Sequence, residues 1–242
     1  MSVTKFPDSL KGLTLWRYIN LAKLIDILST RTLHFAALNS FEDQYEGTVP
    51  IGWQSPIMVP SEQVSVPAGP DGLESVDIPI DEGDFLKDEK IRGEMFVSCW
   101  HNSEHESAAM WHQCSRGSGI AIKTTSDRLV EALQKAEEEV EIAPIGYTEV
   151  APPFLPHKLI AGTSWTVKLP IFDYEKEVRA AVRRASVDQK GLRISVGVEA
   201  LIEEIYISPE LAGFRDAVAD AVNNRYGFDK PVLPSRLRIG AG

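Results

Sequence analysis

The sequence predicts an α+β chain, and three observations carry that expectation. Apolar or alternating runs of strand length recur from one end to the other. A few segments show a 3.6-residue apolar period with recognisable caps. Strands and helices do not follow the regular β–α–β order that a parallel sheet requires. At 242 residues the chain fits one large domain. With 43% hydrophobic and 25% charged residues it has the means to bury a core.

Taken in order, residues 13–19 (LTLWRYI) read as a strand. Residues 20–30 follow as a helix, with Asn20 at the N-cap and Leu21, Leu24, Ile25 and Leu28 on one face. Residues 32–38 alternate as a second strand and lead into NSFEDQYEG, a loop of turn formers and acids. Residues 48–90 hold six of the fifteen prolines and nine acidic residues against two lysines, without helical periodicity. They predict an irregular insertion within the single domain, the first place for a protease to cut. Strand character returns at 94–100, and a helix is expected over 103–114, where Ser103 and Glu106 have capping-box spacing. A strand at 118–124, a helix at 126–140, a strand at 142–150 and a short helix at 154–162 come next. Residues 170–183 read as a strand able to form a hairpin with 192–198. The chain closes with a strand at 203–209, a helix from Pro209 to a Gly227 stop, and a strand at 232–239.

Composition excludes some functions. A net charge of −10 opposes strong non-specific DNA binding, which depends on neutralising phosphates. Arg179, Arg183, Arg184, Arg236 and Arg238 form local basic stretches that read most simply as solvated faces. No apolar run is long enough to span a bilayer, and the first residues lack the apolar stretch of a signal peptide, so a cytoplasmic location is expected. Cys99 and Cys114 are expected as thiols.

Phosphate-loop, dinucleotide-binding and serine-hydrolase signatures are absent. The stretch CWHNSEHESAAMWHQC gathers Cys99, His101, His105, His112 and Cys114, but without paired cysteine spacing it reads as satisfied histidines and buried thiols, with no zinc expected. An acidic metal site from Glu42, Asp43 and Glu46 with Glu175 and Glu177 would suit a nuclease-type effector. A non-catalytic binding module using 48–90 as its contact arm is a further alternative. The most suggestive stretch is FDYEKEVRAAV (172–182). On one strand Asp173, Glu175, Glu177 and Arg179 share a face, which is either wet surface or the floor of a site.

Three strands in order, LWRYI with Arg17, FVSCW with Ser98 and YEKEVR with Glu177, resemble the arginine–serine–glutamate branch of the ADP-ribosyltransferase superfamily. FEDQYE, VSC, MWHQCSRGSG and YEKEVR together also resemble a bacterial family of unknown function often linked to phage defence. That second likeness spans roughly residues 13–239, with Gln44, Cys114 and Arg17 departing from its usual pattern. The resemblance implies an ADP-ribosyltransferase-like split β-sandwich with flanking helices, NAD as substrate, and ADP-ribose transfer to a protein or nucleic-acid acceptor, or NAD hydrolysis, by a toxin or defence effector. It implies that Arg17 holds the pyrophosphate, that Ser98 orients the glutamate and ribose, and that Glu177 stabilises the ribosyl cation while Glu175 serves the acceptor. Tyr18, Trp100 and Trp111 are the candidates for stacking on nicotinamide.

Overall fold

The computed structural model describes residues 2–41, 64–67, 73–76, 92–115, 119–147, 164–185 and 189–237. Its strands are β1 (Val3–Lys5), β2 (Thr14–Ile19), β3 (Thr32–Ala37), β4 (Val64–Pro67), β5 (Leu73–Val76), β6 (Met95–Asn102) and β7 (Ile120–Thr125). They continue as β8 (Val140–Pro144), β9 (Gly146–Tyr147), β10 (Val167–Lys168), β11 (Glu177–Arg183), β12 (Gly191–Ser195), β13 (Glu204–Ile207) and β14 (Val232–Pro234). The helices are α1 (Leu21–Thr30), α2 (Ala108–Ser115), α3 (Ser126–Leu133), α4 (Val198–Leu201) and α5 (Arg215–Asp220). The α+β class expected from the sequence is the class observed.

Ten strands share one mixed sheet whose main path is β1-β8-β11-β6-β2-β7-β13-β14. The sheet forks at β6. Its C-terminal end pairs with β2, Trp16 lying opposite His101, whereas its N-terminal end pairs with β3, Ala37 lying opposite Phe96. β12 extends the second prong by pairing with β3. Ser98 lies on β6 between the two pairings, where the prongs diverge.

The side chains of this sheet sort into two faces. On one, Leu15 and Ile19 of β2, Phe96 and Trp100 of β6, Ile122 of β7 and Val178, Ala180 and Val182 of β11 form the large core. Buried residues of α1, α3, α4 and α5 cover it. The opposite face carries two smaller clusters. Met95, Val97, Ala143, Trp165 and Ala181 make one, and Trp16, Tyr18, Trp111, Ala121 and Tyr206 make the other. Alternation along each strand produces this sorting, and cross-strand register keeps the faces matched.

Local signals place many elements as expected. The Asn20 side chain accepts from the Lys23 amide at 2.9 Å and starts α1, and Gly227, at φ 69°, ends the late helical stretch. Other elements differ. α2 begins at Ala108 rather than 103, because Glu106 does not complete a capping box. Its carboxylate instead accepts from Trp111 Nε1 (3.0 Å), Ser235 Oγ (2.5 Å) and the Arg236 amide (2.9 Å), tying the helix to the end of the chain. α3 stops at Leu133, which frees Val140 to enter β8. β12 pairs with β3 and makes no hairpin with β11. The expected helix from Pro209 is broken into a 3-10 turn, α5 and a π turn over Ala221–Arg225. Within 48–90, β4 and β5 form a two-stranded antiparallel unit where no regular element was expected. The rest of that segment and the expected 154–162 helix lie outside the described residues. Among the described residues, no helix is long and apolar enough to cross a membrane.

Candidate active site

The stretch 172–182 is not one strand. Pro170 occupies the first position of a 3-10 turn over Pro170–Glu175, a place suited to its fixed φ and missing N–H. Lys176 then adopts left-handed backbone (φ 41°, ψ 52°), and only at Glu177 does β11 begin. Glu175 and Glu177 therefore do not project in parallel from alternate positions of a strand. Their carboxylates converge on one ammonium: Lys168 Nζ lies 2.5 Å from Glu175 Oε2 and 3.1 Å from Glu177 Oε2.

Arg179, two residues along β11 on the same face, closes the other side. Its Nε donates to Glu177 Oε1 at 2.7 Å and a terminal nitrogen to Oε2 at 3.1 Å, a two-point grip that suits a planar guanidinium. The remaining terminal nitrogen donates to the Trp165 carbonyl at 2.7 Å. All four charged groups are buried: Lys168 9%, Glu175 9%, Glu177 5% and Arg179 0% exposed. Burial by itself would raise the Glu177 pKa. The charge and hydrogen bonds of Arg179, the Lys168 ammonium and the Cys99 thiol more than offset this and lower it to about 2. Glu177 is thus an anion throughout the physiological range.

Neighbouring groups fix the pair. The Glu177 amide donates to Tyr147 Oη at 2.8 Å, and Tyr147 is pushed up to about 12, first by burial and then by the two nearby carboxylates. His101 Nδ1 lies 2.6 Å from the Glu175 carbonyl. Burial is the main cause that lowers the His101 pKa, so the neutral ring donates from Nδ1 to that carbonyl. Gln113 of α2 donates to Glu175 Oε1 at 3.3 Å and accepts from Tyr174 at 3.1 Å. Beyond them stands an aromatic wall. Tyr18 meets Trp111 edge-on at 5.0 Å and His101 at 6.2 Å, between ring centres.

Arg17, Ser98 and Trp100 lie on the other face. Ser98 Oγ accepts from the Arg17 guanidinium and from Trp100 Nε1 at 3.1 Å. Arg17 also donates to the His34 carbonyl of β3 at 3.0 Å and lies 5.4 Å from the centre of the Trp100 ring. It thereby bridges β2, β3 and β6 at the fork. Ser98 stands opposite Ala180, whereas Glu177 stands opposite His101, and these two pairs alternate in the same β6–β11 ladder. The expected triad is not brought together. Arg17 and Ser98 meet each other, but Glu177 is across the sheet with Glu175, Tyr18 and Trp111.

Lys168, nine residues before Glu177 and on the far side of Pro170, belongs to no motif that marks it as a partner of the glutamates. The available signal was Pro170 itself, which marks a turn and argues against a strand running through 172–176. His101 lies on β6 and does not share a helix with His105, while His105 and His112 are exposed, so these histidines form no cluster. Among the described residues, no group of three or more His, Cys, Asp or Glu is placed to hold a metal ion. Glu42, Asp43, Glu46 and the Cys114 side chain lie outside the described residues.

The chain matches no protein-family model. It matches no curated protein. Among solved structures it is similar to DarT of Thermus sp. 2.9 in complex with carba-NAD+, with a TM-score of 0.41, 12% identity and coverage of 96% of this chain and 97% of that one. The same DarT with ADP-ribosylated ssDNA gives 0.41, 12%, 96% and 96%, and with NAD+ 0.41, 11%, 96% and 98%. Likeness this loose assigns no chemistry to the chain.

Proposed function

We propose that this protein cleaves the bond between nicotinamide and ribose in NAD and passes ADP-ribose to a macromolecular acceptor, with water as the default acceptor. The observation that carries the reading is the convergence of Glu175 and Glu177, beside the Tyr18–Trp111–His101 wall, on a single buried ammonium. Four buried charges are a poor way to stabilise a sheet, because desolvation consumes much of the attraction. They are a good way to hold an anion in place. When nicotinamide departs, positive charge develops on the ribose, and a fixed carboxylate that needs no reorganisation lowers that barrier.

Glu177, gripped by Arg179, is the anion that faces the developing charge. The Lys168 ammonium marks the position of a cation in the resting site and yields its bonds when the ribose enters. Glu175, bonded on one oxygen by exposed Gln113, is the carboxylate nearer the surface and serves the acceptor. Tyr18 and Trp111 border the nicotinamide. Arg17, Ser98 and Trp100 brace the fork and do not touch the same ligand. The motif resemblance extends this reading to a toxin or phage-defence effector with the ADP-ribosyltransferase fold.

Nicotinamide release from NAD tests it. Glu177→Gln keeps the shape and removes the charge, and the rate should fall about 10²–10³-fold. Glu175→Gln should retain most hydrolysis and lose transfer to acceptor. No NAD consumption by the wild-type protein, with or without candidate acceptors, would sink the reading.

A further inference from the structure

We infer that the left-handed turn at Lys176 is the positioning device of the site, and that its role belongs to the backbone and not to the lysine side chain. This inference rests on the reading of Glu175 and Glu177 as a working pair. Lys176 is one of only two non-glycine residues with positive φ among the described residues, and it stands between the two glutamates. L-residues avoid this region because Cβ crowds the backbone. Such a conformation persists where its surroundings over-determine it.

The surroundings here do so. The Lys176 amide donates to the Asp173 carbonyl at 3.1 Å, and its carbonyl accepts from the Asn102 amide at 2.9 Å. The residue before it is held through its carbonyl by His101, and the residue after it through its amide by Tyr147. The Lys176 side chain is exposed and none of these bonds uses it.

The geometric consequence is specific. In an unbroken strand, same-face neighbours are about 6.6–7 Å apart and point in parallel. The left-handed residue separates the 3-10 turn from β11, and two carboxylates with a single residue between them reach one nitrogen. A residue that tolerates positive φ preserves this arrangement, and a β-branched residue cannot.

Three substitutions separate backbone from side chain. Lys176→Gly and Lys176→Asn should keep the wild-type rate of nicotinamide release, since both tolerate left-handed backbone. Lys176→Val, folded by circular dichroism, should lose turnover on the order of 10²-fold, the scale for a misplaced group. Side-chain carboxyl carbon NMR supplies a readout free of NAD. Glu177 should titrate as in wild type in the glycine and asparagine variants, and higher, toward the ordinary carboxylate range, in the valine variant. A valine variant with wild-type titration and turnover overturns the inference, and so does loss of both in the glycine variant. If the wild-type protein consumes no NAD, the functional reading fails, while the titrations still decide the role of the turn.

Discussion

The two sides of β6 solve different problems with similar residues. At the fork, one arginine is spread over a serine hydroxyl, a backbone carbonyl and an indole. Across the sheet, another arginine is folded onto a single carboxylate beside a second carboxylate and a lysine. The first arrangement ties three strands together. The second concentrates opposite charges at one spot. The difference teaches that an Arg, a Ser and a Glu on adjacent strands do not define a site until the face of each is known. Strand parity decides that, and a shift of one residue reverses it.

Removing Arg179 should have the largest effect on stability and would sharpen the contrast. Arg179→Met leaves the buried Glu177 carboxylate with Lys168 as its main counter-charge, and breaking a buried pair in this way typically costs about 3–5 kcal/mol. Urea unfolding measures it, and a loss below about 1 kcal/mol would show that the grip on Glu177 is incidental. Arg17→Ala should cost less, roughly 1–2 kcal/mol, because Ser98 Oγ keeps its Trp100 donor and Arg17 is only half-buried. NAD consumption should survive in that variant. Its loss in a folded Arg17→Ala protein would break the separation of the two faces and restore a common site.

The acid limb of stability is the subtlest discriminator. Glu177 titrates near 2 in the folded protein against about 4.5 when unperturbed. Its contribution is therefore fully present above about pH 4.5 and is lost as pH falls toward 2. Arg179→Met should shift that loss to higher pH in urea titrations, whereas Arg17→Ala should leave it in place. Identical acid limbs in the two variants would contradict the depressed Glu177.

Much of the fold was legible from one-dimensional signals. Asn20 and Gly227 act locally, so the start of α1 and the end of the late helical stretch follow from the residues there. Strand parity in LWRYI and FVSCW was visible too, and Arg17 and Ser98 do share a face. What was hidden depends on residues far apart in the chain. Whether Glu177 faces Ser98 or Cys99 is set by the β6–β11 register, which short motifs do not encode. Glu106 has the spacing of a capping box, yet Ser235 and Arg236, 129 and 130 residues away, claim its carboxylate. The break at Lys176 was masked by a stretch that alternates convincingly as a strand, and only Pro170 argued otherwise.

The fork also sets the terms on which the chain assembles. β6 lies near the middle of the sequence, and its partners come from opposite thirds of it: β2 and β3 from the first, β11 from the last. The Arg17–Ser98 contact alone closes a loop of 81 residues. Closing loops of that size must precede the contacts that reward them, which slows the assembly of such a topology. A chain emerging from the ribosome leaves one edge of β6 unpaired until Glu177–Arg183 has been made. The carboxylate pair then comes into existence only when β11 joins that edge.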